Sequence, residues 1–337
     1  TTDNNINIYG ADVTITGGQL ASTNTNSGSG NILIDATGSI TAPDFPTSQA
    51  AVSAAGDLTL RFRANDANFS GNELDFRRDF KGQSITLEQL NAADFTIGTA
   101  QNSETTLSSA SLGNLVVTGG EGTLTIGGKG TYAATPGATP VLRLTGAATP
   151  SGNLSLDFNR IVFGADLTLA SNKTLTLASA AGGDIAQTGG VITAPNLVLA
   201  GAGDIDLAGG GSNAIGSITS TTTGGISIKS GASAVSLGSI DNVASFAMTG
   251  ATSYNVTGVI RSAGDVLLDT SASTITIGSG GQIVSLQGDV TLDAGMTGKF
   301  INNRGADAVV AGGRWTIWTK GWENGITENQ FGPTSDA

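Results

Sequence analysis

Gly183-Asp184-Ile185-Ala186-Gln187-Thr188-Gly189-Gly190-Val191-Ile192-Thr193-Ala194-Pro195-Asn196-Leu197-Val198-Leu199 holds two short strands and the turn between them. Apolar and small polar residues alternate with period two, the signal of a strand with one buried face, and Gly followed by Asp supplies a tight corner ahead of it. The same unit recurs along the chain. It stands at Gly30-Asn31-Ile32-Leu33-Ile34, Gly56-Asp57-Leu58-Thr59-Leu60, Gly113-Asn114-Leu115-Val116-Val117, Gly152-Asn153-Leu154-Ser155-Leu156, Gly203-Asp204-Ile205-Asp206-Leu207, Gly264-Asp265-Val266-Leu267-Leu268 and Gly288-Asp289-Val290-Thr291-Leu292. Asp166, Asp184, Asp204 and Gly225 set the cleanest register, a nearly constant step along the chain. That step of about 20 residues, holding two or three short strands, is one coil of a parallel β-helix.

The alternatives fit the pattern less well. No window repeats apolar residues at i, i+3, i+4 and i+7 over three turns, which excludes helical solenoids. The Leu-x-x-Leu-x-Leu frame of leucine-rich repeats is missing, and β-propeller blades need about 40 residues each. In a β-helix every strand pairs with its equivalent one coil away, about 4.8 Å distant, and alternate side chains fill a narrow interior. That geometry predicts aliphatic inward residues, Thr and Ser outward, few aromatics, and Gly or Asn at corners that need positive φ.

Composition agrees. The chain has 337 residues with 50 Gly, 5% aromatic residues, no Cys and no His, and a net charge of −12. The absence of Cys and His excludes zinc fingers, iron–sulfur sites, disulfides and Ser-His or Cys-His nucleophile pairs. The negative charge argues against nucleic acid and against anionic membranes. No apolar run approaches the length of about 18 residues at which a segment reads as a membrane span.

Four regions depart from the repeat. Residues 61–90 carry Arg61, Arg63, Arg77, Arg78 and Lys81 among acidic neighbours. They read as a charged insertion, packed on the coil through Phe69, Leu74, Phe76 and Phe80, and its cations are the candidate partner contacts. Residues 313–337 hold Trp315, Trp318 and Trp322, all three Trp of the chain. They read as a cap on the last coil, which would otherwise be an open sheet edge. The expected organisation is a β-helix over 1–312, with the insertion at about 61–90 and a Thr-, Ala- and Pro-rich loop at about 132–150, followed by the Trp-rich tail. Ala42–Ala55, with Pro43 and Pro46, reads as a wide turn.

The segment 183–199 resembles the Gly-Asp-Ile-x-Gln filler repeats of filamentous-haemagglutinin-like exoproteins. Gly313-Arg314-Trp315-Thr316-Ile317-Trp318-Thr319 is similar to the segment that closes the β-helix in many of them, with Trp318 where Tyr is commoner. The resemblance implies a right-handed parallel β-helix, two-partner secretion with an outer-membrane partner, and a cell-surface adhesin or biofilm-matrix component of a Gram-negative bacterium. Its partners would be polysaccharide, a neighbouring cell or a second copy. The Asn-Pro-Asn-Gly motif of the family's secretion domain does not occur, so the resemblance is to an inner or C-terminal segment.

The same fold also hosts polysaccharide lyases and phage depolymerases, the enzyme alternative. Such chemistry needs paired carboxylates, or an acidic cluster with a basic residue, on one coil face. The recurring Asp57, Asp166, Asp184, Asp204, Asp265 and Asp289 follow the repeat and read as corner residues, so no catalytic residue and no cofactor is assigned. Calcium has one weak candidate, Gly201-Ala202-Gly203-Asp204-Ile205-Asp206, which does not keep the nonapeptide frame.

Overall fold

The computed structural model describes residues 5–16, 18–23, 30–43, 49–62, 74–91, 93–99, 105–127, 140–179, 183–270 and 273–319. The chain divides into two compact units, Thr1–Ala178 and Ser179–Ala337. Strands throughout both pair in parallel with their equivalents one coil away, and each unit is a parallel β-helix.

In the first unit β1 (Ile6–Gly10), β2 (Val13–Thr14) and β3 (Leu20–Ala21) begin three sheets that run around one coil. Ile6 stacks under Ile32, Leu58, Ile85, Leu124 and Leu154. Every step in that column is longer than the expected coil of about 20 residues, and the interior is correspondingly wider. Phe fills it. Phe76 and Phe80 lie 4.5 Å apart by ring centroid, and Phe95 contacts both Phe62 and Phe158. The longest step, from Ile85 to Leu124, contains a detour: Thr105–Leu107 inserts between Leu74–Phe76 and Phe95–Ile97 in the second sheet. The chain then enters the short helix Ser109–Gly113, capped by the Ser108 side chain.

The expectation for 61–90 is corrected by this winding. Residues 63–73, with Arg63 and Phe69, lie outside the described residues, but Leu58–Phe62, Leu74–Phe76, Phe80–Gly82 and Ile85–Gln89 are ordinary coil strands. Leu74, Phe76 and Phe80 are core residues, not the underside of a flap, because each falls on the inward position of an alternating strand. Within the 132–150 loop, Val141–Leu144 is likewise a coil strand, and Val52–Ser53 lies within the wide turn.

The second unit has shorter coils. Ile185, Ile205, Ile226, Phe246, Val266, Val290 and Trp315 stack in register. Their step matches the expected length of about 20 residues as far as Val266 and lengthens slightly in the last two coils. Around the rest of the coil, strands such as Val235–Val243 cover two faces in one run. Later coils break that run into pairs, Ser253–Val256 with Val259–Ser262 and Thr274–Ile277 with Gln282–Ser285. Inward columns here are mainly Ile, Leu and Val, nearly all fully buried. Close packing in so short a coil leaves little room for larger rings, with Phe246, Tyr254 and Phe300 the buried exceptions.

Corner glycines serve a purpose different from the expected one. Of those that open the quoted repeats, only Gly30 has positive φ. At Gly264 a Cβ would lie 2.8 Å from Ala244 O, and at Gly152 it would lie 2.8 Å from Val117 Cβ. Adjacent coils come too close at the corner for a side chain, so proximity selects Gly at these positions, not backbone handedness.

Candidate functional site

At many corners an Asp, Asn or Ser side chain reaches along the stack. Asn5 Oδ1 accepts from Asn31 N (3.0 Å), Asn31 Oδ1 from Asp57 N (2.8 Å), and Asp57 Oδ1 from Ser84 N (3.2 Å). Ser84 Oγ continues to Thr123 N, and Asn153 Oδ1 accepts from Thr174 N. On the second sheet Asp12 Oδ1 holds both Ser39 N and Ser39 Oγ at 2.9 Å, bonds that lower the Asp12 pKa. In the second unit Asp204 Oδ1 holds Gly225 N at 2.7 Å, Asp265 Oδ1 holds Asp289 N at 2.8 Å, and Asp289 Oδ1 holds Arg314 N at 2.7 Å. These side chains bond one coil to the next. A corner strand needs an acceptor there because its first N–H is not taken by a strand partner. Their carboxylates are committed to the scaffold, and in the Gly201–Asp206 segment Asp206 Oδ1 likewise accepts from Ala208 N. Among the described residues no three acidic groups converge as a metal site would require.

The described candidate cations of the first unit are tied to neighbours. Outward on the first sheet, register places Tyr9, Asp35, Arg61 and Glu88 in one column. Arg61 Nε donates to Glu88 at 2.7 Å, with Asp35 at 3.9 Å on its other side. The Glu88 bond, more than the opposing cost of desolvation, raises the Arg61 pKa. Arg77 pairs with Asp75 (2.9 Å) and Lys81 with Asp79 (3.1 Å). Arg78 is no surface contact: it is buried, and its guanidinium donates to Ile15 O (2.8 Å) and Gly18 O (3.0 Å), clamping the chain between β2 and β3. Hydrogen bonds from a charged donor contribute about 1.5–3 kcal/mol. Arg78→Ala should therefore release the first coil, with faster amide exchange across residues 6–22 and little change in the second unit; unchanged exchange there would refute the clamp.

In the second unit one outward column differs from the rest. Lys229, Thr249, Asp269, Asp293 and Trp318 occupy equivalent positions on successive coils. Trp318 is 60% exposed, whereas Trp315 and Ile317 point inward and are half-buried. The expected cap is thus divided. Trp315 and Ile317 continue the inward columns over Val290 and Leu292, Trp318 stands out beside Asp293, and Trp322 lies outside the described residues. The column was not legible as a site in the sequence, because Asp269 and Asp293 are a whole coil apart along the chain and only register aligns them.

Burial, reinforced by the neighbouring Asp293 charge, raises the Asp269 pKa. An acid whose folded pKa is raised is less stable ionised in the fold than in the unfolded chain, so its ionisation destabilises the fold as pH climbs from its unfolded to its folded value. Asp269→Asn should therefore stabilise the second unit at neutral pH, by no more than about 0.5 kcal/mol for so exposed a pair, and lose that advantage below about pH 4. Melting curves across that interval check it; a variant less stable at neutral pH would contradict the like-charge reading. Beside this site Tyr254 is buried, donates to the backbone Asp269 O (3.1 Å), and has its pKa pushed up mainly by desolvation.

Several other outward columns are uncharged. Thr59, Thr86, Thr125 and Ser155 form one, and Asn196, Ser217, Ser236, Asn255 and Thr276 form another. Comparison with protein-family models, with curated proteins and with solved structures finds no match for this chain. The class of protein is therefore given by its architecture, a parallel β-helix with hydroxyl and amide ladders among its outward columns and, in one column, two carboxylates and an exposed Trp.

Proposed function

We propose that the chain is part of a secreted or cell-surface adhesin, and that the column ending in Asp269, Asp293 and Trp318 holds polysaccharide. The observation that carries this reading is the exposed Trp318 in line with two outward carboxylates, beside an uncharged column of Leu267, Thr291 and Thr316. An indole presents a flat apolar surface to the C–H face of a sugar ring, while carboxylates and hydroxyls accept from sugar hydroxyls. Successive coils, about 4.8 Å apart, repeat on the scale of a sugar unit. The first unit, with Arg61, Arg77, Arg78 and Lys81 held by neighbours and Asp57 bound to the next coil, supplies scaffold and spacing in this reading. Export through an outer-membrane partner and attachment to a neighbouring cell follow from the resemblance to filamentous-haemagglutinin-like proteins.

Retention of the chain on columns of immobilised bacterial polysaccharides tests the proposal. Trp318→Ala should weaken retention at least about tenfold, equivalent to about 1.4 kcal/mol. Equal retention of the variant, or none of the parent chain on any polysaccharide, would overturn it.

The same pair of carboxylates favours a second reading, a β-helical glycosidase. Adjacent-coil spacing falls near the separation of about 5–5.5 Å used by retaining enzymes, in which one carboxylate attacks and the other protonates the leaving oxygen. The raised Asp269 pKa suits the acid, and Asp293, which accepts from Gly295 N at 2.7 Å, suits the nucleophile. Release of reducing ends from a bound polysaccharide, lost in Asp269→Asn, would establish the enzyme; binding without release leaves the adhesin.

A further inference from the structure

Several outward acids of the chain meet a cation: Asp35 and Glu88 share Arg61, Asp75 meets Arg77, and Asp94 meets Arg143. Asp269 instead faces Asp293, its register partner on the next coil. Asp293 Oδ1 accepts from Gly295 N, but among the described residues no hydrogen-bond donor and no cation reaches the Asp269 carboxylate. The cation of the column, Lys229, is two coils from Asp269 with Thr249 between them, about 10 Å by strand spacing. The backbone holds this arrangement in place. Gly250 N–H bonds Asp269 O, Thr270 N–H bonds Asp293 O and Ala294 N–H bonds Trp318 O, so the successive coils are tied together at this position. Two half-buried like charges therefore stay one coil apart, and one of them has its hydrogen-bonding capacity unmet.

We infer, resting on the polysaccharide reading of this column, that the polymer held at Asp269, Asp293 and Trp318 carries free amino groups: a glucosamine polymer at least partly without its N-acetyl groups. A neutral sugar hydroxyl can donate to Asp269 but leaves its charge facing Asp293. An ammonium brings three donors and a positive charge, and seated between the carboxylates it satisfies the first and offsets both. The Trp318 indole takes the ring face of the same polymer.

Other occupants fit less well. An anionic polysaccharide meets repulsion from both carboxylates, and more from the chain's net charge of −12. Calcium takes about six to eight oxygen ligands, and among the described residues no three acidic groups converge. A sugar amine needs only the pair, and the exposed indole beside it serves a ring where it would serve no bare ion.

Calorimetric titration of the full chain with a glucosamine oligosaccharide and with its fully N-acetylated counterpart tests the inference. The amine form should bind at least about tenfold tighter. Asp269→Asn combined with Asp293→Asn should abolish the difference. Asp206→Asn combined with Asp241→Asn removes the same charge elsewhere in the second unit and should leave it, while Trp318→Ala should weaken both oligosaccharides. Equal binding of the two forms, each weakened by Trp318→Ala, would overturn the amine and leave the polysaccharide reading standing; so would retention of some other polysaccharide with neither form bound. A preference that survives the Asp269 and Asp293 changes would reduce it to general attraction toward an acidic chain and sink the inference. Oligolysine bound as tightly as the glucosamine form would replace the sugar by a basic peptide, and a chain that binds no saccharide at all would end both readings.

Discussion

Asn213→Ala is expected to destabilise the second unit by about 3–5 kcal/mol. Asn213 is fully buried, and its amide exchanges two hydrogen bonds with the Gln187 amide, at 2.9 and 2.8 Å. It also donates to Leu207 O (2.9 Å) and accepts from Ile192 N (2.8 Å). One side chain thus bonds four polar groups, three of them on the preceding coil, at a corner between strands. Truncation removes all four bonds, Gln187 Nε2 keeping Gly190 O at 3.0 Å, and each buried group left unsatisfied costs about 1–3 kcal/mol. Repeat arrays lose cooperativity when one coil weakens, so the proper measurement is native-state exchange of the amides between Ile185 and Ile228. A loss below about 1 kcal/mol would show that water replaces the amide. Gln187→Leu combined with Asn213→Leu should cost less than the two single changes together, since the reciprocal pair then disappears as a unit.

Gly203→Ala should be comparably damaging, at about 3 kcal/mol or more, for a different reason. Its Cβ would run into the carbonyl oxygen of Gly183 one coil below, and Gly224 stands in the same relation to Gly203 O one coil above. Backbone meets backbone there, so no rotamer change relieves the contact and the coils must part. Gly113→Ala is the control. That glycine ends the short helix with nothing within 4 Å of the added methyl, and the change should be neutral or stabilising by about 0.4–1 kcal/mol. Thermal melts of both variants decide the matter; a Gly203→Ala chain as stable as Gly113→Ala would show that the corners yield.

Both sites depend on neighbours that chain order does not show. Gly203 and Asp204 were visible as a corner, but the reason for the glycine and the direction of the aspartate bond belong to the adjacent coil. Likewise Asn213 carries no repeat signal, because its partners Gln187 and Ile192 become neighbours only when coils stack. The charged run at 61–90 conceals its role for a related reason. Its described charges are mostly outward residues of winding strands and their corners, paired with close neighbours or across register, as Arg61 is with Glu88, while Arg78 turns inward to hold the first coil.

By itself the sequence determined the architecture. Period-two alternation dictates strands with one buried face, and a short repeat with a Gly-Asp or Gly-Asn corner dictates that those strands wind, since both are local properties of the chain. The tertiary structure decided everything that depends on which residues lie above which: the coil lengths, the Phe-filled interior of the first unit, the inter-coil ladder, and the column that brings Asp269 and Asp293 beside Trp318. Register between coils is a pairing of residues a whole coil apart, and slipping a strand by one residue against its neighbour would turn a different set of side chains outward.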